Sequence, residues 1–163
     1  MAIITNFSDL DLTKTYSYAD YLLWQFQDRV ELIKGFILKM SPAPSMVHQR
    51  ISNNVSYELN NYFKRKPCDV FVAPFDVRLP IPSAKKDSTV VQPDLCIICD
   101  ESKLDSRGCN GTPDLMVEIT SSSNSKHDVH TKFNLYQEAG VKEYWIIEPN
   151  DKIILVYTLV NSK

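Results

Sequence analysis

Glu118 and Lys132 are the residues that break otherwise apolar patterns in this 163-residue chain. Glu118 interrupts the strand-like run PDLMVEIT, and Lys132 interrupts the apolar face of the helix-like run HDVHTKFNLYQEAG that follows. A charge on a buried face is costly unless it is paired or serves a site. Asp94, just after Pro93 in VQPDLCIIC, places a second carboxylate at the beginning of another strand, and Glu31 in VELIKG offers a third. Two carboxylates a metal-width apart suit Mg²⁺ or Mn²⁺, hard cations that take oxygen ligands and keep several waters. An ion held by Asp94 and Glu118 could bind a phosphodiester oxygen, acidify a water and stabilise transition-state charge. Lys132 would orient that water and add positive charge beside the phosphate. The candidate catalytic set is therefore Asp94, Glu118, Lys132 and Glu31, with Asp94 and Glu118 as metal ligands. The plainer readings are an Asp128–Lys132 pair at i,i+4 with a snorkelling lysine stem, and a Glu118 at an exposed sheet end.

The elements around these residues can be read from periodicity. Leu115, Val117 and Ile119 alternate onto one face of a strand, leaving Asp114, Met116, Glu118 and Thr120 on the other. Ser121 to Ser125 break the alternation and supply helix caps. At about 100° per residue, Val129, Phe133, Leu135, Tyr136 and Ala139 share the sheet-facing arc of the next helix, with Lys132 at its centre. Gly140 ends that helix, and YWIIEP opens a strand that turns at Pro149-Asn150-Asp151 into KIILVY. If the strands carrying Asp94 and Glu118 are neighbours, as sequential strands usually are, the two carboxylates converge.

Earlier in the chain, residues 15–27 predict a helix capped near Ser17, and residues 28–40 a hairpin turning at Lys34-Gly35. A long helix starts at Met46 after the SPAPS linker, with His48 in its first turn as a structural residue. DVFVAP and FDVRLP read as short strands parted by Pro74, VQPDLCIIC as one strand, and ESKLDSRGCNGT as a turn-rich loop. Helices flanking a mixed sheet give an α/β or α+β class, and nothing divides residues 1–163 into more than one domain.

Composition narrows the function classes. With 18 Lys and Arg against 20 Asp and Glu, the net charge is −2, so no global basic field advertises nucleic acid, although Lys64, Arg65 and Lys66 form a local patch. There is no signal-peptide pattern at the N-terminus and no run long enough to span a membrane. Four cysteines without a signal peptide point to a reducing, cytoplasmic setting. In LCIIC the two cysteines face opposite ways, so buried thiols are expected rather than zinc or redox chemistry. No GxGxxG, Walker A or HExxH motif is present.

Five segments together resemble the Uma2 (DUF820) restriction-endonuclease family of the PD-(D/E)xK nuclease superfamily. They are VELIKG (30–35), SPAPSMVHQRI (41–51), VQPDL (91–95), PDLMVEITSSS (113–123) and KFNLYQEAGVKEYWIIEP (132–149). The resemblance implies a restriction-endonuclease-like core with a divalent metal at one edge of its sheet. Asp94 matches the motif aspartate, and Glu118 matches the acidic residue of the (D/E)xK half. The superfamily lysine two positions later is replaced here by Thr120, and the family's displaced lysine on the following helix matches Lys132. Glu31 matches an early acidic position. The implied function is a Mg²⁺- or Mn²⁺-dependent endonuclease acting on DNA as a homodimer, with IILVY offering an edge for self-association. The alternative is a catalytically inactive nuclease-fold module that binds nucleic acid or protein.

Overall fold

A computed structural model describes residues 3–40, 44–121 and 126–161, with the side chains of 126–128 set aside. The expected caps at Ser122 to Ser125, and the Asp128 half of the expected i,i+4 pair, lie outside what is described.

In chain order the elements are α1 (Tyr18–Tyr21), β1 (Val30–Ile33), β2 (Phe36–Lys39), α2 (Met46–Phe63), β3 (Asp69–Val72), β4 (Val77–Arg78) and β5 (Val90–Val91). They continue with β6 (Leu95–Ile98), β7 (Leu104–Asp105), β8 (Gly108–Asn110), β9 (Leu115–Ile119), α3 (Lys126–Glu138), β10 (Glu143–Glu148) and β11 (Ile153–Thr158). The strands form two mixed sheets, one ordered β11-β10-β9-β6-β3 and the other β2-β1-β5-β4-β8-β7. The fold is α+β, a mixed sheet flanked by helices with a second sheet against it.

Strand alternation sorts the first sheet into two faces. Leu95, Ile97, Leu115, Val117, Ile119 and Ile147 pack with Leu59 of α2. Cys96, Ile98, Met116, Tyr144 and Ile146 pack on the other side with Leu135, Tyr136 and Ala139 of α3 and with Val77 and Val91 of the second sheet. The parallel pair β9–β10 is joined through α3, the crossover that parallel strands require. Glu118 therefore lies on the face that α3 covers. At the end of α3, Glu138 is clamped by Lys34 Nζ at 2.6 Å and by the Ser83 backbone N–H at 3.0 Å. That clamp ties the helix to the β1–β2 turn, where Lys34 and Gly35 both adopt positive φ, as the hairpin reading requires.

Four expectations are corrected. The first helix stops after one turn, although Ser17 and Asp20 do form its capping box. Beyond it, Leu23 C=O and Gln25 N–H bond to Ile4, so the backbone is taken up by pairing with the N-terminal segment. VQPDLCIIC is two strands in different sheets, because Gln92-Pro93 carries the chain from one to the other. The segment read as a loop after Asp100 contains a 3₁₀ turn and the β7–β8 hairpin. Gly108 starts β8 at φ +125°, and a Cβ there would collide with the Asp76 carbonyl oxygen. Finally, Cys99 is not a buried thiol. The β3–β6 register pairs Asp69 with Ile98, so the next step outward sets Cys68 opposite Cys99, and the two form a disulfide. Cys96 and Cys109 are the buried thiols. Among the described residues no helix is long and apolar enough to cross a membrane.

Candidate active site

The β6–β9 register pairs Leu95 with Val117. Carried one residue further, it sets Asp94 opposite Glu118 on the face that α3 covers. Period-two alternation thus aims both carboxylates into the same layer. Lys132 comes down onto them from the sheet-facing arc of α3. Its Nζ lies 2.9 Å from Glu118 Oε1 and 3.0 Å from Glu31 Oε1. Glu31 arrives from β1 of the other sheet and is only 1% exposed. Its Oε1 also accepts the Gln92 backbone N–H at 2.8 Å, so it is fixed from two sides. The expected carboxylates and lysine therefore meet, with Lys132 bonded to Glu118 and Glu31 and not directly to Asp94.

Asp94 has its own partners. Oδ2 accepts the Ile119 backbone N–H at 2.7 Å, and Oδ1 sits 3.1 Å from His48 Nε2. His48, expected to be structural, thus reaches the site from the first turn of α2, where Ser45 Oγ accepts its backbone N–H. Its Nδ1 is buried with no hydrogen-bond partner among the described residues. A second unanticipated residue is Tyr136, one turn after Lys132, whose hydroxyl donates to Glu118 Oε1 at 2.6 Å. Its polar handle was hidden in a side chain counted as apolar. A cue existed in the sequence, since a buried Tyr O–H usually needs a partner. Asp114 stands apart: it accepts from Lys142 and from the Cys99 N–H.

The charge balance of this cluster is uneven. Glu31, Asp94 and Glu118 supply three negative charges against one lysine and one histidine. Burial pushes the Glu118 carboxyl up to about 7, with Asp94 and Glu31 adding to the rise and Lys132 opposing it. Burial alone would lower the pKa of Lys132, but Glu118 and Glu31 outweigh it and hold the ammonium above its ordinary value. The hydrogen bond to Asp94 raises His48, against the opposing effect of burial. Burial, followed by the charge of Glu118, keeps the Tyr136 hydroxyl protonated and able to donate.

A family model, Uma2, described as "Putative restriction endonuclease", matches residues 18–163. The chain belongs to the Uma2 family. It is also similar to the crystal structure of a protein from Anabaena variabilis ATCC 29413 described as "a putative nuclease belonging to DUF820". That likeness has a TM-score of 0.69 at 19% identity, over 88% of this chain and 79% of the other. At that identity the likeness carries the fold alone. No curated protein matches the chain. The Uma2 match spans all four cluster residues named from the sequence, as well as His48 and Tyr136.

The cluster makes a stability prediction that needs no ligand. Lys132→Met would leave Glu31 and Glu118 without their shared cation, at a cost of about 3–5 kcal/mol. Because the folded-state pKa of Glu118 is raised from 4.5 to about 7, its favourable contribution is full below the unfolded value and lost as pH rises through the folded one. The Lys132→Met deficit should accordingly be largest in mild base and shrink as Glu118 takes up its proton in acid. Urea unfolding of both proteins at about pH 8 and about pH 5 checks this. An equal deficit at both values would mean the ammonium is not what compensates these carboxylates.

Proposed function

We propose that this Uma2 protein is a metal-dependent endonuclease that hydrolyses DNA phosphodiester bonds at the Asp94–Glu118–Lys132 cluster. The observation that carries the reading is the buried charge imbalance. Were all three carboxylates ionised and His48 neutral, they and the one ammonium would leave a net charge of −2, the deficit one divalent cation would cancel; without the ion, the raised Glu118 carboxyl relieves part of it. Among the described residues no group of three or more His, Cys, Asp or Glu side chains is set to hold a metal. Two carboxylates fit Mg²⁺ or Mn²⁺ nonetheless, since such ions are commonly held by one or two carboxylates with water and substrate phosphate completing the shell. The donors are all oxygens, and Glu118 Oε2 accepts no hydrogen bond from the described residues. Such an ion would supply Lewis acidity to a phosphodiester oxygen and a more acidic bound water.

The side chains have separable tasks in this reading. Asp94 and Glu118 bind the cation. Lys132, kept charged by its two carboxylates, places a fixed positive charge beside the scissile phosphate and orients the attacking water. Glu31 does not face substrate; it anchors the Lys132 ammonium from behind. His48 and the Ile119 N–H hold Asp94 in one orientation. Thr120, at the position where the superfamily lysine stands, bonds through its hydroxyl to the Ile147 carbonyl instead. The lysine of the site therefore comes from α3, with residues 1–163 acting as one nuclease domain in the cytoplasm. The Cys68–Cys99 pair lies at the opposite end of β6 from Asp94, so a reducing cytoplasm would leave the partners of Asp94 in place.

Two strand cuts call for two sites, and we propose a homodimer. The outer strand β11 offers the edge: Ile154 is 56% exposed and Val156 55%. Light scattering at micromolar concentration should give twice the 18.7 kDa chain mass; a monomer would remove the dimer from the account.

For the activity itself, supercoiled plasmid incubated with Mg²⁺ should be cut by the wild type and spared in EDTA. Glu118→Ala should slow cutting by about 100-fold or more. Asp94→Ala should abolish Mn²⁺ binding in calorimetric titration. Cleavage unchanged in Glu118→Ala would take the reaction away from this cluster. Intact DNA under every metal, with Mn²⁺ still bound, would favour the inactive binding module.

A further inference from the structure

Glu118 has two oxygens, and the structure treats them differently. Oε1 accepts from Lys132 Nζ at 2.9 Å and from the Tyr136 hydroxyl at 2.6 Å. A carboxylate oxygen offers roughly two lone-pair sites, so both on Oε1 are taken. Oε2 accepts from none of the described residues. Of the two donors on Oε1, the lysine is shared with Glu31 Oε1 at 3.0 Å, while the tyrosine hydroxyl donates to Glu118. Its ring is 1% exposed and stands edge-on to Tyr144 at a centroid distance of 4.9 Å. A rigid ring thus fixes where the hydroxyl points and which oxygen of Glu118 it holds.

Resting on the metal reading above, we propose that Tyr136 is a positioning residue that makes Glu118 a one-oxygen ligand and so tunes the site toward Mg²⁺ and Mn²⁺ and against Ca²⁺. Mg²⁺ demands a tight, near-ideal octahedron, in which a carboxylate serves well through one oxygen. Ca²⁺ is larger, takes six to eight oxygens at longer range, and readily accepts a carboxylate through both. Glu118 cannot turn both oxygens to one ion without breaking the Tyr136 bond. Asp94 is restrained in the same sense, with Oδ1 on His48 and Oδ2 on the Ile119 N–H. The preference is therefore built from the partners of the two carboxylates rather than from the carboxylates themselves.

Tyr136→Phe removes the hydroxyl and keeps the ring, so the contact with Tyr144 survives. Calorimetric titration of wild type and variant with Mg²⁺, Mn²⁺ and Ca²⁺ separately gives each protein an affinity ratio. The wild type should favour Mg²⁺ and Mn²⁺ over Ca²⁺, and the variant should lose that preference by about 10-fold or more, within the range seen when an outer partner of a ligand is removed. Thermal melts of both metal-free proteins report whether the variant is folded. A merely structural hydroxyl would move the melt and leave the ratio unchanged, and that outcome overturns the role given to Tyr136. A wild type that binds none of the three ions overturns the metal reading, and this inference falls with it. Should the variant not fold, the difference infrared spectrum of the wild type with and without Mg²⁺ decides instead. Carboxylate bands of one-oxygen coordination support the assignment; bands of two-oxygen coordination overturn it.

Discussion

One ammonium shared by a buried carboxylate and a partly buried one, each from a different sheet, is the interaction on which this structure turns. Lys132 reaches Glu118 of the five-stranded sheet and Glu31 of the six-stranded sheet within 3.0 Å of each. None of the three could stay charged alone at that depth, since an unpaired buried charge costs several kcal/mol. The lysine thus joins the two sheets at the point where α3 crosses them. With both acids ionised, two carboxylates to one base leave an excess of negative charge even before Asp94 is counted, and the raised Glu118 carboxyl reflects that excess. That excess separates it from an ordinary structural ion pair, in which the charges cancel.

The rest of the fold can be understood as holding these groups still. The β6–β9 register sets Asp94 across from Glu118, and the β9–α3–β10 crossover drops Lys132 and Tyr136 onto the same face. α2 covers the opposite face, yet its first turn delivers His48 to Asp94. The switch between sheets at Gln92-Pro93 serves twice. It brings the Gln92 N–H to Glu31, and it starts β6 with Asp94 pointing inward. A site assembled on strands and helices in this way is positioned by hydrogen-bonded backbone rather than by loops.

Much of this was legible in the sequence because it follows from two periodicities. Period-two alternation put Glu118 on the Met116 face, and helical spacing put Lys132 in the apolar arc. Those two facts, with the strand of Asp94 as a neighbour, nearly determine the cluster. What stayed hidden depends on groups that periodicity does not rank. Tyr136 counts as apolar in any pattern, although its hydroxyl donates to Glu118 at 2.6 Å. A histidine in a first turn carries no sign of what its ring will face, so from the sequence His48 reads as structural. The two-sheet division was hidden for a different reason. VQPDLCIIC looks continuous, and only the pairing of Val90 with Leu32, against that of Leu95 with Val117, shows that its halves part company. The Cys68–Cys99 bond likewise follows from register, which spacing alone does not give.

We propose that this charge-unbalanced cluster holds a divalent ion while Lys132 stays in place. Diffraction from crystals soaked in Mn²⁺, collected for anomalous signal, tests it most directly. An anomalous peak is expected between Asp94 and Glu118 on the Oε2 side, with the Lys132 ammonium still bridging Glu118 and Glu31. An empty map there, or a lysine swung out to bulk solvent once the ion binds, would contradict it.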